Sequence, residues 1–247
     1  MPTLARLHRA HLAAIPFENL DIQMGRAVEL DVASLQASLI RRRRGGYCFQ
    51  QNGLFRLVLA ELGYVVRQRE ARVRLDANGN VSARTHLVLI ATVDGRDWLT
   101  DVGFGGNGIV EPLDLESPSA VQDGWAYRAL REGRFRVLQR AGPGGWDDLY
   151  VFADDEIAPI DCIVGNWFTS THPESRFVRT LTAQRMIGDT RHVLRNLSYS
   201  VARAGGDWQT QTVTRAELVP LLRDVFGLDV PDDARFRAID DVPADPR

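Results

Sequence analysis

The sequence predicts a mixed α+β fold in which helices lead, strands fill the middle, and a hairpin and a helix close the chain. Three observations carry this. After Cys48, Leu54, Phe55, Val58, Leu59 and Leu62 recur at helical spacing, and Gly63 stands where such a helix stops. From Val65 the pattern turns to strands and reaches Thr85–Val93 and Arg96–Val102 on either side of Asp94-Gly95, a strong signal for a two-residue hairpin turn. Near the end, Thr214-Arg215-Ala216-Glu217 is a capping box that opens a helix through Leu218, Leu222 and Phe226, closed by Gly227.

The chain has 247 residues, enough for one large domain or a few small ones and for a sizeable core. A charged fraction of 25% and a net charge of −2 give no general basic field, so neither nucleic acid nor an acidic membrane is an expected partner. No apolar run approaches the roughly 18 residues of a membrane span. Two cysteines, Cys48 and Cys162, cannot build a disulfide framework, and no secretory leader is present, so the expected compartment is cytoplasmic. All 30 basic residues are arginine. That excludes Schiff-base chemistry on lysine and any P-loop lysine.

In order, Leu4, Leu7, Leu12 and Ile15 predict a helix halted by Pro16. Pro16-Phe17-Glu18-Asn19-Leu20 reads as a turn, and Asp31 as the cap of a second helix through Leu35, Leu39 and Ile40. Asp76-Ala77-Asn78-Gly79-Asn80 reads as a turn after a first strand. Further strands at Trp125–Leu130, Phe135–Gln139 and Leu149–Phe152 indicate a barrel or curled sheet. The pattern over Ile157–Phe168 is ambiguous. Arg176–Met186 and His192–Val201 read as a hairpin about Gly188-Asp189, and the tail after Val230 reads as loose.

Cys48 falls in the first turn of its helix, where free N–H groups and the dipole favour an anion. A thiol there can ionise well below the usual value of about 8.5. The preceding Gly45-Gly46 lets backbone approach closely and leaves room above the sulfur. In the hairpin register set by Asp94-Gly95, Val93 faces Arg96, Val88 faces Asp101 and His86 faces Gly103, so His86 and Asp101 share a face. They are then diagonal neighbours about 7–8 Å apart at the backbone, within side-chain reach. A helix-start cysteine with a histidine oriented by a carboxylate is the layout of an activated thiol nucleophile. It predicts a covalent thioester and two-step acyl transfer. Cys162, among apolar neighbours, reads as structural. His8 and His11 read as surface histidines, since no third metal ligand falls at a convincing spacing, and no metal is expected. Arg41–Arg44 reads as a solvated face, and Gly103-Phe104-Gly105-Gly106-Asn107-Gly108 as a glycine-rich turn whose amides could line a pocket.

These residues resemble the arylamine N-acetyltransferase family. The family's nucleophile motif, Arg-Gly-Gly-aromatic-Cys-aromatic-Glu-x-Asn, is matched by Arg44–Phe49 and Asn52, with Gln50 in place of glutamate. Pro16–Leu20, Thr85-His86, Asp101–Gly105 and Ser170-Thr171-His172-Pro173 follow as further family-like motifs, in order. The resemblance implies an N-terminal helical bundle (1–64), a central β-barrel (65–172) and a C-terminal α/β lid (173–247), with a catalytic core like that of cysteine proteases. It makes Cys48 the acyl acceptor, His86 the acid and base, and Asp101 the orienter. Phe17, Phe104 and Thr85 would line the substrate pocket, and Gly103, Gly105 and Gly106 would approach coenzyme A. Acetyl-CoA would be the acyl donor, with no permanently bound cofactor, and an arylamine, arylhydrazine or N-hydroxyarylamine the acceptor. Two features depart from the pattern: Gln50, and a start at what resembles the family's second helix. The family also contains ansamycin amide synthases, which take a polyketide from an acyl carrier protein, and these are the alternative reading. A thiol hydrolase and a non-catalytic binding protein are the others.

Overall fold

In the computed structural model, which describes residues 1–74, 81–142 and 144–241, Pro2 occupies the start of α1 (Pro2–Ala14), where its missing N–H costs nothing. The expected turn at Pro16–Leu20 is instead a short strand, β1 (Phe17–Glu18), and a single-turn helix, α2 (Leu20–Gln23). Phe17 and Glu18 are extended because they pair with Gln184 and Ala183, a partner that no local pattern reveals. Asp31 caps α3 (Val32–Leu35) as expected, accepting from the Ser34 N–H at 3.0 Å, and the helix widens into a π-helical stretch over Gln36–Arg41. Helix α4 (Cys48–Glu61) ends at Gly63, whose φ of +83° suits a residue without Cβ.

The middle of the chain forms β2 (Val65–Val73), β3 (Arg84–Val93), β4 (Arg96–Thr100), β5 (Leu113–Asp114), β6 (Ala120–Gln122), β7 (Trp125–Glu132), β8 (Phe135–Gly142) and β9 (Gly145–Ala153). These join in the order β5-β4-β3-β2-β9-β8-β7-β6. β5 at one edge packs against β7 beside the other, so the sheet curls towards closure as a barrel. The turn expected at Asp76–Asn80 lies outside the described residues. Strand β3 is covered on both faces. Val88 and Ile90 point into the barrel with Leu99, Leu138 and Phe152, while Leu89 and Ala91 pack against Leu4, Phe55 and Leu59 of the helices. Hence its unbroken apolar run rather than an alternating one.

The ambiguous stretch is helix α5 (Pro159–Thr171), followed by the single turn α6 (Arg176–Arg179). The last quarter holds β10 (Thr182–Ile187), β11 (Thr190–Arg195), β12 (Ser198–Arg203), β13 (Gln209–Thr212), α7 (Arg215–Asp224) and α8 (Arg237–Asp240). The hairpin expected across Gly188-Asp189 is present, but His192–Val201 is not one strand. Asn196, at φ +51°, turns the chain between β11 and β12. Thr214 and Glu217 form the expected capping box. The tail is not loose up to Asp241: Phe236 is wholly buried against α7, and Arg215 grips Asp240 at 2.8 Å. Burial of an aromatic and an ion pair outweigh the polar composition that made it look mobile. The six residues beyond lie outside the described residues. His8 is likewise not at the surface: it is fully buried, with Nδ1 3.0 Å from the Val110 carbonyl, and His11 meets Gln51 at 2.7 Å. Among the described residues there is no metal-ligating cluster and no helix long and apolar enough to cross a membrane.

Candidate active site

Cys48 is the first residue of α4 and is buried at the foot of a cavity of about 420 Å³. Gln50 satisfies the helix end, its Oε1 accepting from the Tyr47 N–H at 3.3 Å; an amide thus does the capping a glutamate would do here. The glycine pair before the cysteine acts chiefly through close approach. A Cβ on Gly45 would lie 2.2 Å from the Pro16 carbonyl oxygen, and one on Gly46 would meet the Gln50 side chain. The pair thus lets the chain before Cys48 lie against Pro16 and Gln50, while the cavity opens beside the cysteine.

His86 sits on β3 opposite Ala71 of β2. The hairpin register is the expected one, Val93 facing Arg96, but the ladder ends at Leu89–Thr100. Neither Val88–Asp101 nor His86–Gly103 forms as a strand pair. Asp101 stands one residue past the ladder and its side chain completes the approach: Oδ2 lies 2.8 Å from His86 Nε2, with both groups buried. Cys48 lies within interacting reach of the imidazole, and the Cys48 sulfur lies 3.5 Å from the Thr85 carbonyl oxygen. Two further groups hold Asp101. Asn52 donates to its Oδ1 at 2.8 Å, and so does the Gly103 N–H at 2.9 Å. A Cβ on Gly103 would fall 2.8 Å from Cys48 Cα, so only glycine lets this loop lie against the helix start.

Burial disfavours charge on His86, but the Asp101 carboxylate, its hydrogen bond and the Cys48 neighbour outweigh it and raise the imidazole to about 10. For Asp101, burial pushes upward, while the His86 charge and the three hydrogen bonds hold the carboxyl below its ordinary value. His86 thus stays protonated at neutral pH. Burial pushes Cys162 the other way, up to about 11, which fits an inert core thiol.

Phe17, Thr85 and Phe104 all line the cavity with Cys48 and His86. The Phe104 ring stands edge-on to His86, 5.2 Å between centroids, and Tyr150 closes the other side at 4.8 Å. Of the three glycines expected near coenzyme A, only Gly103 reaches this cavity; Gly105 and Gly106 line a smaller one behind the loop. The amides of Gly103 and Gly106 are committed within the protein, to Asp101 and to Gln184 Oε1 at 2.6 Å. They are therefore not free donors for an incoming phosphate. Arg44 is also not on a solvated face. It is buried between Glu18 at 3.2 Å and Asp21 at 3.5 Å, while Arg41 to Arg43 stay exposed. Four arginines in a row gave no sign of which one turns inward.

The N-acetyltransferase family model matches residues 1–235. An arylamine N-acetyltransferase of Mycolicibacterium smegmatis is 39% identical over 94% of this chain and 87% of its own. The chain belongs to the arylamine N-acetyltransferase family. A second member, the arylamine N-acetyltransferase / N-hydroxyarylamine O-acetyltransferase of Salmonella typhimurium, is 36% identical over 93% of this chain and 83% of its own. The solved structure of the Mycobacterium marinum arylamine N-acetyltransferase in complex with CoA superimposes with a TM-score of 0.91 at 38% identity, covering 98% of this chain and 93% of that one. The sequence motifs had pointed to this enzyme family, and the mixed α+β architecture is the one its solved members share.

Proposed function

We propose that the protein transfers an acetyl group from acetyl-CoA to an arylamine, arylhydrazine or N-hydroxyarylamine, through a thioester on Cys48. The observation that carries the site assignment is the buried His86–Asp101 pair at 2.8 Å, set beside a helix-start cysteine that lines the same cavity. With the proton on His86, the Cys48 sulfur attacks the acetyl carbonyl, and the CoA thiolate leaves with the imidazole proton. An amine then enters; its nitrogen attacks the thioester, His86 takes the nitrogen's proton, and the Cys48 thiolate departs. Asp101 keeps the imidazole turned to the sulfur and stabilises its charged form. Phe17, Phe104 and Thr85 bound the space an aromatic amine would fill, and Gly103 shapes the floor.

The same reading divides the work at 64/65 and 172/173, with the nucleophile on a helical unit, His86 and Asp101 on the barrel, and a lid from 173. What supports this is the placement of α4, β3 and the β10–β13 sheet about one cavity. The test is turnover of acetyl-CoA with an arylamine by the wild type and by Cys48→Ala. Acetylated amine from the wild type alone supports the assignment. Free acetate without acetylated amine would identify a hydrolase. Reaction only with a long acyl thioester on a carrier protein would identify an amide synthase.

A further inference from the structure

The segment Gly103–Gly108 carries the Phe104 wall, yet its outer half is held by residues far away in the chain. Arg191 of β11, 85 residues beyond Gly106, donates Nη1 to the Gly106 carbonyl and Nη2 to the Gly108 carbonyl at 3.2 Å. The same Nη2 meets the Tyr127 hydroxyl at 2.5 Å, and that hydroxyl donates to the Gly108 carbonyl at 2.7 Å. The guanidinium is 1% exposed and lies 4.4 Å over the Trp125 ring. A planar guanidinium can hold two carbonyls and a hydroxyl from its fork while stacking on an aromatic; an ammonium has three donors but neither the fork nor the flat face. Burying a cation to meet backbone carbonyls is costly unless geometry is well satisfied, so this is not a generic core position.

We infer that Arg191 is a positioning residue that sets amine selectivity by fixing the loop that holds Phe104. The inference rests on the acetyl transfer proposed above. On its inner side the loop is fastened to Asp101 through the Gly103 N–H, and on its outer side to β10 and β11 through Gln184 and Arg191. Phe104 lies between the two fastenings, its ring against His86 and Tyr150. Loss of the outer fastening lets the loop and the ring shift, which alters the width of the cavity at the place where an acceptor ring meets the thioester. The last sheet thereby contributes to acceptor choice through a side chain that does not line the main cavity.

The test is a double-mutant cycle of Arg191→Gln and Phe104→Leu, read as the ratio of kcat/KM for a small and a bulky arylamine. Acetylation of Cys48 by acetyl-CoA is followed in each variant. Loss of folded enzyme lowers both amines equally and leaves the ratio untouched. Arg191→Gln is expected to shift the ratio by about tenfold, the scale of discrimination that a small change of pocket shape gives. In the double variant the ratio should lie near that of Phe104→Leu alone, because Arg191 acts through the placement of the Phe104 ring and sites coupled through one backbone segment do not add. An unchanged ratio, or shifts that multiply independently, would overturn the inference. If Arg191→Gln fails to fold, Arg191→Lys takes its place and should shift the ratio in the same direction; a wild-type ratio there overturns the inference equally. A wild type that takes no acetyl group from acetyl-CoA would instead sink the transfer reaction itself, so the two failures are distinguishable.

Discussion

Asp101 accepts from His86 Nε2, Asn52 Nδ2 and the Gly103 N–H, and each bond fixes something different. The first holds the imidazole, the second ties the barrel to α4, and the third anchors the loop that carries Phe104. An amide in its place keeps the shape but offers N–H where His86 needs an acceptor. Asp101→Asn is expected to retain the fold by circular dichroism and to lose about 10²- to 10⁴-fold in kcat. Arg44 makes a matching argument for stability. Removing one partner of a buried pair strands the other, so Arg44→Gln should cost about 3 kcal/mol in urea unfolding, and adding Glu18→Gln should recover most of it. Here the sequence was informative in one case and mute in the other. The Asp94-Gly95 turn fixes a register that points His86 and Asp101 towards each other, although the ladder ends before them and the Asp101 side chain closes the gap. Arg44 acquires meaning only when Glu18 and Asp21 arrive from another element, and Arg191 only when β11 reaches the glycine loop.

At the scale of elements, β3 and α5 present opposite cases. Leu89 of β3 is wholly buried between barrel and helices, so Leu89→Ala leaves a cavity and should cost about 2–5 kcal/mol. Ile163 of α5 is 54% exposed, and Ile163→Ser should change stability by no more than about 0.5 kcal/mol in the same unfolding assay. Periodicity made the helices, the hairpin and the capped α7 legible because each is specified locally. It could not assign α5, whose apolar residues lie on exposed as well as buried faces. Nor could it find β1, a two-residue strand that exists because β10 offers it hydrogen bonds.

For the whole molecule, buried histidines set how stability varies with pH. Burial holds His8 and His11 down at about 4, so between about 6.5 and 4 the unfolded chain takes up protons that the native state refuses. Their contribution is present above 6.5 and is lost as pH falls through that window. His86 has the opposite sign. Raised to about 10 by Asp101 and Cys48 against the pull of burial, it stabilises the fold in full below 6.5. That contribution declines as pH rises and is gone beyond about 10. Melting temperature should therefore peak near 6.5. Asp101→Asn should flatten the alkaline decline; a decline of undiminished steepness would count against the coupling.

The most direct trial of the account is to mix the protein with acetyl-CoA alone, quench, digest, and locate the acetyl group by peptide mass. One acetyl group is expected on the peptide that contains Cys48, none on that of Cys162, and discharge when an arylamine is added before the quench. An unmodified Cys48 peptide from enzyme that turns over acetyl-CoA and amine would contradict it.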